Sequence, residues 1–134
     1  DAVTIRSPGN LSLGNRVSIH PNTVIGAEGE ITIGDNCGIS ANCCLYAVNH
    51  NHSETSIPMK EQGVTLAPIH IGNDVAIGAG TIILGNTKIG DGSFIGAGSV
   101  VSGEIFPYSI VVGNPGRVVF NRKVKLGSKK KDIA

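Results

Sequence analysis

The chain has no tryptophan, two tyrosines and three phenylalanines in 134 residues. So few large rings argue against a layered globule, whereas nineteen glycines suit a repetitive scaffold. Three cysteines are too few for a disulfide framework, and the economical expectation is a reduced, cytoplasmic protein. The net charge is only +1, which leaves no overall footprint for nucleic acid. The imbalance is local, since seven of the eleven Lys and Arg stand at or after Arg117. No apolar run is long enough to span a bilayer. No signal peptide is read, and because Asp1 lies close to the first repeat, a preceding segment is expected. The length fits one domain.

What the chain does have is a period of six. Ile71, Ile77, Ile83, Ile89, Ile95 and Val101 follow one another without a break. Neither a helix nor a half-buried strand repeats at that interval. Six residues per side and three sides per turn give an 18-residue coil, and "IHIGNDVAIGAGTIILGN" (69–86) lies over "TKIGDGSFIGAGSVVSGE" (87–104) without a gap. Such hexapeptide self-similarity marks a parallel β-helix with coils about 4.8 Å apart.

The first half carries the same signal in coils of 20, with "LSLGNRVSIHPNTVIGAEGE" (11–30) over "ITIGDNCGISANCCLYAVNH" (31–50). Its aliphatics are Leu13, Ile19, Ile25, Ile33, Ile39 and Leu45, and the two extra residues per coil predict a wider corner on one edge. Four residues after most aliphatics comes a small or β-branched residue, such as Thr23, Cys37, Cys43, Val75, Thr81 or Ser99. Both sets are expected to point inward, which makes Cys37 and Cys43 core filler. Gly follows many of the aliphatics (Gly14, Gly34, Gly72, Gly78, Gly90), where the turn needs either unusual backbone angles or close approach.

The repeat stops at residues 51–68, "NHSETSIPMKEQGVTLAP", and resumes at Ile69. This stretch must leave the prism and return one coil higher, and a long excursion from a compact scaffold is more often functional than not. After Glu104 the pattern fades, and the chain is expected to divide into a β-helix domain over 1–119 and a basic tail over 120–134.

Three pieces in this order, "ITIGDN" with the His ending that coil, the loop "NHNH…IPMKEQG…PIHIG", and "IGAGSVV…PYSIVVGNPGRVV", resemble the hexapeptide-repeat acyltransferases. The similarity covers roughly 11–119 and is greatest to the sugar O-acetyltransferases that act on galactosides, maltose, nodulation factors, O-antigen and capsule. The resemblance implies an all-β, left-handed parallel β-helix with one protruding loop and a short C-terminal extension. The general rule for parallel crossovers would have given the opposite hand. It further implies acetyl-CoA as co-substrate, a sugar or glycan acceptor, no metal, and a homotrimer with sites between subunits.

His50 stands where that family carries its catalytic histidine. Transfer of acetyl from a thioester to a hydroxyl needs a base for the hydroxyl proton, and imidazole can then return the proton to the departing thiolate. The competing fate of such a residue is a solvated loop histidine. His52, two residues on, is given a secondary place beside the acceptor; His70, next to inward Ile71, is expected to face outward. The resemblance assigns the oxyanion donor to the backbone N–H of Ala79 and the acceptor contacts to His20 and Glu28. It places CoA beside Gly78, Ala79, Ala97 and Ser102, with Arg117 near its phosphates and Arg122 or Lys123 as a helper. Glu54 and Glu61 in the loop are further candidates to orient His50 or to line the pocket. Many relatives have Trp where this chain has Ala76, which implies a roomier site.

Other readings compete. An amino sugar acetylated on nitrogen would need less base catalysis. A γ-type carbonic anhydrase shares the scaffold, but two of its zinc histidines lie five residues apart, a spacing absent here. A β-helix can also serve purely as an assembly module, because fold does not imply function.

Overall fold

A computed structural model describes residues 2–124; the basic run Lys129–Lys131 lies outside them. The chain winds as a parallel β-helix whose three sides are three sheets. The first stacks Thr4–Arg6, Val24–Gly26, Cys44–Tyr46, Ile82–Ile83 and Val100–Val101; the second runs from Leu11–Leu13 to Glu104–Ile105. The third begins at Ser18–Ile19 and ends on Ser109–Val112 and Arg117–Asn121. No helix among the described residues is long and apolar enough to cross a membrane.

Register follows the aliphatic period. Ile25 pairs with Leu45 and Ile83 with Leu45 and Val101, so one column of inward aliphatics runs up the first sheet. Ile33, Ile71 and Ile89 form the second column, and Ile39, Ile77 and Ile95 the third. All of these are buried, and the small residues Thr23, Cys37, Cys43, Val75, Thr81, Thr87, Ser93 and Ser99 fill the corners. Buried hydroxyls there donate to corner carbonyls, as Ser99 Oγ does to the Gly96 carbonyl at 2.6 Å and Thr87 Oγ1 to that of Leu84 at 2.6 Å. Leu13 departs from the expected burial: it is 46% exposed, because it sits in the lowest coil with none beneath it.

The glycines after the aliphatics are there for close approach. A Cβ on Gly72 would stand 2.2 Å from Asp91 Oδ1, and one on Gly34 2.3 Å from Asn73 Oδ1. Left-handed backbone falls three residues after the aliphatic, at Asn36, Asp74, Gly80, Asn86 and Gly98. Asn and Gly tolerate that conformation best.

The chain also holds coils that its six-residue period does not announce. Thr4–Arg6 lies under Val24–Gly26 at the same 20-residue offset. At the other end Ile105 stacks on Ile89 and Val111 on Ile95, a shortened coil that the antiparallel strand Arg117–Asn121 then covers. Every change in coil length therefore falls on one edge, between the first and second sheets. That edge is widest in the lower coils, throws out the excursion in the middle and is narrowest at the top.

Candidate active site

The excursion leaves from the variable edge as a β-hairpin. Val48–His50 pairs antiparallel with Val64–Leu66, His50 opposite Val64. Its base is closed by buried Ala47 and Ala67, with the Ala67 N–H donating to the Ala47 carbonyl at 2.8 Å. Two bare backbones let the hairpin seat: a Cβ on Gly85 would stand 2.4 Å from Ala67 Cβ, and one on Gly29 would run into the Ala47 carbonyl. Farther out, Asn51 Nδ2 donates to the Gln62 carbonyl at 3.0 Å, and Gln62 Nε2 donates to the carbonyls of Glu54 and Ile57.

Between this hairpin and the prism edge lies a cleft of about 550 Å³ lined by Arg6, Glu28, Tyr46, Val48, Asn49, His50, Val64 and Leu84. His50, exposed on the outgoing arm, and Glu28, on the widened corner below, face one space. Arg6 Nη2 donates to Glu28 Oε2 at 2.5 Å, while Glu28 Oε1 is buried with no hydrogen-bond donor among the described residues. Tyr46 lies over Gly26, where a Cβ would stand 2.6 Å from its ring. The cleft thus has an apolar and aromatic wall, an ion pair and an imidazole, the mixture that holds small polar ligands. A second recess on the outer side of His50 is shared with Asn51, His52, Ser53 and Thr65.

Arg6 and Tyr46 were not among the residues expected from the sequence. Carrying the 20-residue offset one coil back aligns "TIR" with "VIG" and "CLY" and finds both. Glu54 and Glu61 do not line the cleft. The Glu54 carboxylate accepts from Ser56 N and Oγ, which hold it below its ordinary pKa, and Glu61 closes the short 3-10 turn Met59–Glu61.

The other expected site residues lie elsewhere on the prism. Ala79 and Ala97 sit on the corner between the third and first sheets, stacked through the Gly98 N–H on the Ala79 carbonyl at 2.9 Å. His20 occupies the same corner two coils below Gly78, since Ile19 pairs with Ile39 and Ile39 with Ile77. One chain therefore does not bring His20 to Glu28, or Ala79 to His50. The Ala79 N–H has no partner among the described residues, and a Cβ on Gly80 or Gly98 would meet open space. At the level of Gly78–Gly80 and Ala97–Gly98 this corner is a strip of exposed backbone without large side chains.

Arg117 pairs with Val112 and stands at the top of that strip. Ser102 is on the cleft edge, one residue past Val101 as Leu84 is past Ile83. Lys123 lies 4.3 Å over the Tyr108 ring, and Arg122 donates to the Gly92 carbonyl and approaches Asp74, so both cations close a different edge. His70 is exposed between Thr32 and Lys88 on the outer face of the second sheet. Ala76, outward on the third sheet, borders a shallow recess with Phe94, Ile110 and Arg122, away from His50. Among the described residues no three His, Cys, Asp or Glu side chains are grouped to hold a metal ion.

Residues 68–103 match the family described as bacterial transferase hexapeptide, six repeats. A protein of Mycobacterium tuberculosis named "Probable acetyltransferase" is 37% identical over 92% of this chain and 42% of its own length. The chain spans about half the length of the curated relatives it matches. Among solved structures, a maltose O-acetyltransferase from Clostridium difficile superposes with a TM-score of 0.84 at 30% identity, over 90% of this chain and 64% of that one. A galactoside acetyltransferase in complex with coenzyme A gives 0.78 at 30% identity, over 98% and 67%. The chain belongs to the hexapeptide-repeat transferases.

Proposed function

We propose that the protein is an acetyl-CoA-dependent O-acetyltransferase for a sugar or glycan hydroxyl, with His50 as general base. The observation that carries the reading is the cleft in which His50 faces the Arg6–Glu28 pair and Tyr46. The acceptor enters this cleft with its hydroxyl at the imidazole and a neighbouring polar group at Glu28. His52, in the adjoining recess, contacts the outer part of the acceptor. The hydroxyl oxygen attacks the thioester carbonyl as His50 takes its proton. The C–S bond then breaks, and the thiolate recovers that proton from His50, leaving an acetyl ester and a free thiol.

The donor thioester lies along the backbone strip of Gly78, Ala79 and Ala97. There the Ala79 N–H meets the carbonyl oxygen as it gains charge, with Arg117 at the phosphate end. His50 and Ala79 occupy opposite edges of the first sheet, whose outer face carries the apolar column Val24, Cys44, Ile82 and Val100. Packing that face against a second copy sets the His50 edge of one chain beside the Ala79 edge of the next. A closed homotrimer repeats the contact three times and leaves no copy incomplete.

The test is release of free thiol from acetyl-CoA in the presence of a panel of neutral sugars, amino sugars and oligosaccharides, with His50→Ala as control. Thiol release with hydroxyl-bearing acceptors should fall about 10²–10⁴-fold in His50→Ala. Release with amino sugars alone, with mass spectrometry placing the acetyl group on nitrogen, would assign transfer to nitrogen, and no release with any acceptor would leave an assembly module.

A further inference from the structure

Proton transfer by His50 does not itself use Arg6, yet this residue of the lowest coil reaches the Glu28 carboxylate inside the His50 cleft. Its side chain is 59% exposed and that of Glu28 25%, and an ion pair this open adds little to folding stability. What the pair does is electrostatic and geometric. Arg6 occupies Oε2 and leaves Oε1, shielded from solvent, without a donor among the described residues. Because Oε1 is out of reach of solvent, Glu28 meets a donor entering the cleft it lines through Oε2, which takes one hydrogen bond from Arg6 and keeps a second acceptor site. The guanidinium beside it cancels the carboxylate's charge, so a neutral hydroxyl is accepted while an ammonium meets a cation already in place.

We propose that Arg6 is a positioning and specificity-determining residue. It orients Glu28 to receive a neutral hydroxyl adjacent to the one being acetylated, and it turns the cleft away from acceptors that carry an ammonium group there. Tyr46 completes this subsite: its ring rests on the bare backbone of Gly26, which brings it beside the Glu28 carboxylate, and offers a face for the C–H side of a sugar ring. The acceptor class is thus a neutral sugar with vicinal hydroxyls. The inference rests on the acetyl-transfer reading of the same cleft.

The experiment compares kcat/KM for a neutral hexose and for the matching 2-amino-2-deoxyhexose, at a pH where the amine is protonated, in the wild type, Arg6→Met, Arg6→Lys and Glu28→Gln. Mass spectrometry identifies the acetylated atom. Arg6→Met should raise the amino-to-neutral ratio at least about tenfold, chiefly through KM, because the lone carboxylate now attracts the cation. Arg6→Lys should restore most of the wild-type ratio, and Glu28→Gln should remove the gain when combined with Arg6→Met. A wild type that is active on the hexose, with a ratio unmoved by Arg6→Met, would overturn the role of Arg6 and leave the transferase reading standing. A wild type that acetylates neither sugar, nor any other in the panel, would overturn both.

Discussion

The ring of Tyr46 lies against the backbone of Gly26 in the coil below, so close that a Cβ on that glycine would stand 2.6 Å from Cδ1, 2.9 Å from Cε1 and 3.1 Å from Glu28 Oε1. One absent methyl lets an aromatic wall and a carboxylate share the floor of the cleft. Gly26→Ala should therefore displace the ring and disturb Glu28. The expected cost is about 1–3 kcal/mol in unfolding free energy, the usual size of overpacking. It should come with a raised KM for the acceptor and an unchanged KM for acetyl-CoA, as steady-state kinetics on the two substrates would show.

His50 and Ala79 stand on different edges of one prism, and a site that needs both must take them from two copies. Replacing Ala79 by Pro removes its N–H. Ala79→Pro and His50→Ala should each be inactive alone, while mixed oligomers assembled from the two should regain activity at the interfaces that pair the two intact edges. Activity assays on co-expressed, differently tagged variants measure this. Silence in mixed oligomers, with both variants folded and assembled, would count against a shared site.

Cys37 and Cys43 are buried in the corners, where their thiols donate to the Gly72 and Gly78 carbonyls at 3.1 and 3.2 Å. Burial raises both above their ordinary value of 9.0. The unfolded chain then ionises at a lower pH than the folded one and binds fewer protons there. Stability is fully present below pH 9 and falls as pH rises past it. Urea titrations across pH 7.5–10.5 should show a declining midpoint whose steepness lessens in the Cys37→Val, Cys43→Val double variant.

The prism was legible because each side contributes one inward aliphatic and one inward small residue, so packing writes itself into the sequence at a fixed interval. The terminal coils were less so. Thr4–Arg6 offers one strand before the count begins, and the step from Val101 to Ile105 is two residues short of the period. His50 and Glu28 could be picked out from the resemblance, since one lies at the root of the excursion and the other 22 residues earlier, on the widened edge. The resemblance does not point to Arg6 and Tyr46; the 20-residue offset brings them into line, but their meeting with Glu28 depends on side chains across stacked coils rather than on any local motif. Sequence alignment also set His20 with Glu28, but eight residues of this solenoid are enough to turn from one corner to the next.

In the proposed reaction the imidazole of His50 moves the proton. The most direct measurement is kcat for His50→Ala with acetyl-CoA and the best acceptor of the panel, beside calorimetric binding of CoA to the same protein. With His50 as the base, the variant should lose about 10²–10⁴ in kcat, the usual contribution of a positioned base, with CoA affinity unchanged. A variant that keeps most of its turnover would contradict that role.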